Sequence, residues 1–169
     1  MNLIGFLTWL QNTELGTWMR EADFSFPGIE SIHVVFLTAT FGSIILLDLR
    51  LTGLGFRGRS VSEVTKDVML WTWVSFLGAA ISGSMLFTKS AVQYYEDWAT
   101  RGKFICMGLA GVNMLVYELL IHPTIADWDK NAVPPIRARI AGYLSMILWI
   151  AVIIFGRWIG YSTQDQNGG

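Results

Sequence analysis

Four long apolar stretches separated by three polar segments organise the chain. The first extends from Pro27 to Leu51, and between Val34 and Leu47 it is interrupted only by Thr38, Thr40, Gly42 and Ser43. Small residues and hydroxyls that bond back to the helix cost little in hydrocarbon, and about 20 helical residues cross the ~30 Å apolar core of a bilayer. The pattern therefore predicts a transmembrane helix over 27–51. Pro27 falls in the first turn, where its missing N–H costs nothing, and Asp48 with Arg50 is expected to mark the exit into water. Three further spans are predicted over 68–88, 103–122 and 138–161.

The polar segments divide the remainder. Leu3, Phe6, Leu7 and Leu10, with Trp9 and Trp18, predict one or two short amphipathic helices at the membrane interface that cap one end of the bundle. This stretch lacks a basic leader and carries Gln11, Asn12 and Glu14, unlike a cleaved signal. Residues 52–66 read as a polar loop, with Ser62 as the cap of the next helix, and 89–101 as an aromatic and charged interfacial loop. Residues 127–135 are expected to be a loop because Pro134-Pro135 disfavours helix, and the tail from Ser162 is expected to be disordered. The fold class is all-α: a single integral membrane domain, a four-helix bundle with an N-terminal interfacial amphipathic helix.

At about 100° per residue, Phe26, Glu30, His33, Leu37, Thr40, Ile44 and Leu47 form one stripe of the first span, and a stripe with a carboxylate and an imidazole must face protein. In the second span, Gly78, Ala79, Ala80, Ser82, Gly83 and Ser84 form a smooth surface that predicts close helix approach. The third places Cys106, Asn113 and Tyr117 on one face, and Met107, Gly111, Met114, Glu118 and His122 on another. The fourth places Arg139, Tyr143, Met146, Ile150, Arg157 and Tyr161 on one stripe, read as inward.

Composition agrees with one membrane unit: 169 residues, 53% hydrophobic, with eight Trp. A net charge of −1 supplies no basic field for nucleic acid. The lone Cys106 forms neither a disulfide framework nor a zinc-finger set. Arg50, Arg57, Arg59, Lys66, Lys130, Arg137 and Arg139 lie on one side of the four spans, seven of the 12 basic residues, against Arg20, Lys89, Arg101, Lys103 and Arg157 on the other. The positive-inside tendency then places both termini away from the cytoplasm.

Candidate chemistry gathers where spans reach equal depth near the outer face. Glu30 and His33 lie three apart, so the carboxylate can orient the ring. Met85, Cys106, Met107 and Arg157 are expected in the same layer, with Glu30, His33 and Arg157 converging in one cluster. Such a layer suits haem b, a metal ion held by His33 and Glu30, or a quinone, for electron transfer; His33, Glu30, Arg157, Met85 and Met107 are the candidate binding residues. Against this stands a bland reading: Glu30 and Arg157 form a structural ion bridge, Met and Cys pack, and the chain is a non-catalytic assembly or interaction subunit, homo-oligomeric or bound to a partner membrane subunit. His33 and His122 should lie roughly 20 Å apart, too far for a shared bis-histidine haem. Glu30-x-x-His33 matches the di-iron unit in a single copy, and no nucleophile elbow, P-loop or dinucleotide fingerprint occurs, so no catalytic residue is assigned.

Met19-Arg20-Glu21, Pro27 with Glu30 and His33, Asp48-Leu49-Arg50-Leu51 with Gly53, Lys103, Gly108-Leu109-Ala110-Gly111 with Asn113, and Gly156-Arg157 with Gly160-Tyr161 carry a further signal. In these stretches the chain resembles a bacterial four-helix inner-membrane family of unknown function. The resemblance implies the topology, in an inner membrane among its lipids, and a set of polar positions; in such a membrane the termini that the basic-residue count places away from the cytoplasm are periplasmic. The resemblance implies no activity.

Overall fold

The computed structural model describes residues 2–165. Two short helices, α1 (Leu3–Gln11) and α2 (Glu14–Glu21), precede the long helices α3 (Ser25–Thr52) and α4 (Val61–Thr88). A short α5 (Ala91–Glu96) leads into α6 (Trp98–Val116), which continues through a π turn (Tyr117–Ile121) and a 3-10 turn (His122–Asp127), and α7 (Ile136–Asp165) closes the fold. Four segments are long and apolar enough to cross a bilayer: Ser25–Thr52, Val61–Thr88, Trp98–Asp127 and Ile136–Ser162. The chain is a multi-pass membrane protein built as an all-α bundle. The expected disorder beyond Ser162 falls partly on α7, which reaches Asp165, and partly outside the described residues.

Helix ends differ from expectation where local capping overrides composition. Ser60 and Glu63 form a reciprocal capping box, so α4 begins at Val61. Ser62, expected as the cap, instead donates its backbone N–H to Asp129 Oδ1 at 2.8 Å. The segment 89–101 is not a loop: it holds α5 and the start of α6, where the Asp97 carboxylate accepts from the Thr100 N–H at 2.7 Å. Pro123 does not end the third span. Lacking an N–H and crowding the carbonyl of residue 119, it loosens the preceding turn, where the His122 N–H bonds back to the Tyr117 carbonyl.

The end carrying α1, α2 and α5 is called the near end and the opposite one the far end. Gly16 lets α2 press against the Gln11 and Thr88 carbonyls, so the amphipathic helices cap the near end as predicted. α3 packs most extensively on α4. Phe36 lies over Gly78 and His33 over Gly83, where an added Cβ would stand 2.5 and 2.9 Å from their rings. Between them and the far end, Thr40 bonds to Ser75 at 3.1 Å and Thr72 to Ser43 at 2.8 Å. This is small-residue and hydroxyl packing of the kind that joins helices in lipid. α7 packs on both α6 and α3, whereas α4 and α6 scarcely meet, so the ring of four is open along one edge.

Two sequence expectations about orientation fail. The inward stripe of α7 contains Ala138, Ala141, Leu148 and Val152, while Tyr143, Ile150, Arg157 and Tyr161 are exposed. In lipid, small residues face neighbouring helices, and Tyr or Arg near a span end reaches the interface instead. Asp48 and Arg50 do not exit into water either: they are 4% and 0% exposed. Arg50 Nε donates to the Arg59 carbonyl at 2.6 Å, and Nη2 to the Asp129 and Asn131 carbonyls at 3.1 and 2.9 Å. One guanidinium therefore fastens the loops that follow α3 and precede α7.

Candidate functional site

Each of the four spans contributes to a layer beneath the near-end cap. His33 extends from α3 toward α4, where Gly83 leaves room for its ring and Ser82 Oγ lies 2.9 Å from Nδ1. Ser82 Oγ also lies 2.7 Å from the Gly78 carbonyl, one turn back on its own helix. A carbonyl only accepts, so the serine proton is committed there and the serine oxygen accepts from His33. The Ala79 backbone also acts on the ring. The serine acceptor selects the tautomer with its proton on Nδ1, leaving the Nε2 lone pair as an acceptor or ligand.

Lys103 of α6 supplies the charge. Its ammonium acts electrostatically on His33, and its Nζ lies 3.8 Å from the position a Cβ would take on Gly156 of α7. Lys103 is half-buried and forms no hydrogen bond or ion pair among the described residues. Close packing continues beside it, where Gly102 receives the Phe155 ring. An acceptor nitrogen and an unpaired ammonium thus share one layer, a combination that suits a ligand bearing both a donor and an acceptor oxygen.

The other candidates fall elsewhere. Glu30, one turn nearer the surface, is exposed and acts on Tyr94 of α5. Burial first, then the Glu30 charge, pushes the Tyr94 phenol above its ordinary pKa. Arg157 is exposed and sits with its guanidinium carbon 5.4 Å from the centroid of the Tyr161 ring. Among the described residues no hydrogen bond or ion pair joins Arg157 to Glu30 or His33, so the expected three-residue cluster is not formed. The reason is geometric: Arg157 belongs to the outward stripe of α7. Met85, Cys106 and Met107 are half-buried. No group of three His, Cys, Asp or Glu side chains gathers among the described residues in a way that would cage a metal ion, which leaves the pairing of His33 with Glu30 as metal ligands without a third partner.

A family model matches residues 6–162, nearly the whole chain, and carries the description Family of unknown function (DUF6644). The chain belongs to this family. No curated protein and no solved structure matches it. In this DUF6644 chain the sequence singles out His33 but neither Ser82, which hydrogen-bonds to it, nor Lys103, whose charge acts on it. Ser82 had been read as packing and Lys103 as the membrane boundary. The Asp97-x-x-Thr100 cap was the available signal, because it starts α6 early enough to place Lys103 more than a turn inside. Glu118 and His122, read as an interfacial pair, do approach each other at the far end, at 3.7 Å.

Proposed function

We propose that this chain is an electron-transfer subunit of the bacterial inner membrane that receives the head group of a lipid-soluble quinone in the His33 and Lys103 layer. The supporting observation is the hydrogen bond between His33 Nδ1 and Ser82, which leaves Nε2 as an acceptor beside an ammonium without a partner. A quinol matches both groups: one hydroxyl donates to Nε2, and an oxygen accepts from Lys103 Nζ. As a one-electron redox centre of a partner membrane subunit takes an electron from the bound quinol, the hydroxyl O–H bond breaks and the neutral imidazole accepts its proton at Nε2. Glu30, exposed one turn closer to the surface, is the next proton acceptor. The open edge between α4 and α6 supports access from the bilayer. Orientation follows the basic-residue count, with both termini periplasmic.

The same open edge favours a second reading, in which a partner helix or another copy of the chain completes the ring and the protein acts in assembly. Purification in native-lipid discs, followed by organic extraction and a visible spectrum, separates the alternatives. Quinone retained by the wild type and lost in His33→Ala supports the quinone site. A Soret band lost in His33→Ala would replace it with haem on Nε2 and a propionate at Lys103. A colourless, quinone-free oligomer would favour assembly.

A further inference from the structure

The far end of the bundle buries a carboxyl that the His33 layer does not use. Asp48 is 4% exposed and lies four positions before Thr52, the last residue of α3. Ser145 on α7 faces the carboxyl and acts on it, while Oδ2 is buried with no hydrogen-bond partner among the described residues. The Tyr117 hydroxyl, in the π turn, is likewise buried without a partner, and Asp48, Asp129 and Glu118 all act on it electrostatically. Among the described residues no cation pairs with Asp48. Arg50 gives Nε and Nη2 to three backbone carbonyls and feels the charge of Asp129, while its buried Nη1 bonds to nothing among the described residues, Asp48 included. Arg139 leaves its buried Nε unpaired and lies six positions before Ser145, about 9 Å along α7.

A carboxylate enclosed in a membrane bundle with an oxygen left unbonded and no counter-cation is poorly compensated, and such a group neutralises by holding a proton. We propose that Asp48 is a proton-binding site within the membrane, carrying its proton on Oδ2 at neutral pH and exchanging it with water on the far side. The ligand is the proton itself. On release, the O–H bond of the carboxyl breaks, the electron pair stays on Oδ2 and the proton passes to water. No redox partner is required. Asp48 lies close to the end of its span, and the Tyr117 hydroxyl stands where both Asp48 and Asp129 are felt, so the exchange route runs past Tyr117 toward the loop that holds Asp129.

Infrared spectroscopy of the purified full chain in lipid discs at neutral pH tests this. The expected result is a carbonyl band of a protonated carboxylic acid that shifts in D2O, is lost in Asp48→Asn and is retained in the surface variant Asp67→Asn. Absence of the band, its survival in Asp48→Asn, or its failure to shift in D2O would overturn the proposal. Should Asp48→Asn fail to fold, Ser145→Ala with isotope-labelled aspartate carboxyls replaces it. Removal of the neighbouring hydroxyl must then move the labelled acid band, and an unmoved band overturns the assignment to Asp48.

Discussion

His33 Nδ1 and Ser82 Oγ stand 2.9 Å apart, and the donation of Ser82 to the Gly78 carbonyl makes the imidazole the donor. Ser82→Ala should cost about 1 kcal/mol of stability, the usual net worth of such a bond, and free the ring to exchange tautomers. Thermal unfolding measures the first effect, and nitrogen NMR of labelled histidine the second. An unchanged single tautomer would show that the Ala79 backbone suffices.

Lys103 should separate stability from binding. An unpaired ammonium in a span is costly, so Lys103→Met is expected to stabilise the ligand-free protein. The gain should be on the order of 1 kcal/mol, below the ~2.5 kcal/mol of the bilayer centre because Lys103 is near the span end and only partly buried. The same variant should lose retained quinone. A lower melting temperature would mean that Lys103 has a structural partner.

Four glycines form a matched series. Gly78→Ala and Gly83→Ala drive a methyl into the Phe36 and His33 rings and should each cost about 1–3 kcal/mol. Gly42→Ala and Gly108→Ala meet nothing within 4 Å and should be neutral or stabilising, by up to about 1 kcal/mol, through helix propensity. Chemical denaturation in detergent reads all four.

Arg50→Leu removes the donor from the carbonyls of Arg59, Asp129 and Asn131. With hydrogen bonds to a charged group worth about 1.5–3 kcal/mol each, the loss should reach 3 kcal/mol or more. Proteolysis should then open the chain at 53–60 and 128–135. Lys130→Leu, on the exposed surface of the same loop, should leave both stability and protease resistance near the wild type.

Topology has a direct test in a Cys106→Ser background. Single cysteines at Ser60 and Ser162 should label from opposite sides of the membrane, with position 60 reached from the cytoplasm. Labelling of both from one side would be incompatible with four spans.

The number of spans was legible because hydropathy over about 20 residues is a strong signal and survives local errors; their limits were less so, since caps start the second span at Val61 and the third at Trp98 rather than at 68 and 103. Small residues on the second span also foretold where helices meet, as Phe36 on Gly78 and His33 on Gly83 bear out. Side-chain direction was less legible. Water sorts the faces of a soluble helix by polarity, but lipid leaves both faces apolar, so α7 announces its inner side through Ala138, Ala141 and Gly142 rather than through Tyr143 or Arg157. Asp48 and Arg50 misled for a related reason. Charges at a span end ordinarily signal water, whereas here a serine on a distant helix lies against Asp48, and carbonyls from the adjoining loop and from a distant one receive Arg50. Most of those partners are far apart in sequence and close in the fold.

The Arg50 clamp also bears on the order in which the protein is made. Arg59 follows within the same hairpin, but the Asp129 and Asn131 carbonyls emerge 79 and 81 positions after Arg50. A nascent first hairpin can therefore meet only part of the guanidinium's demand and must keep it hydrated at the membrane surface until the second hairpin inserts. Burial of Arg50 is thus a late step of biogenesis, and a chain truncated before residue 129 leaves an unquenched cation at its far end.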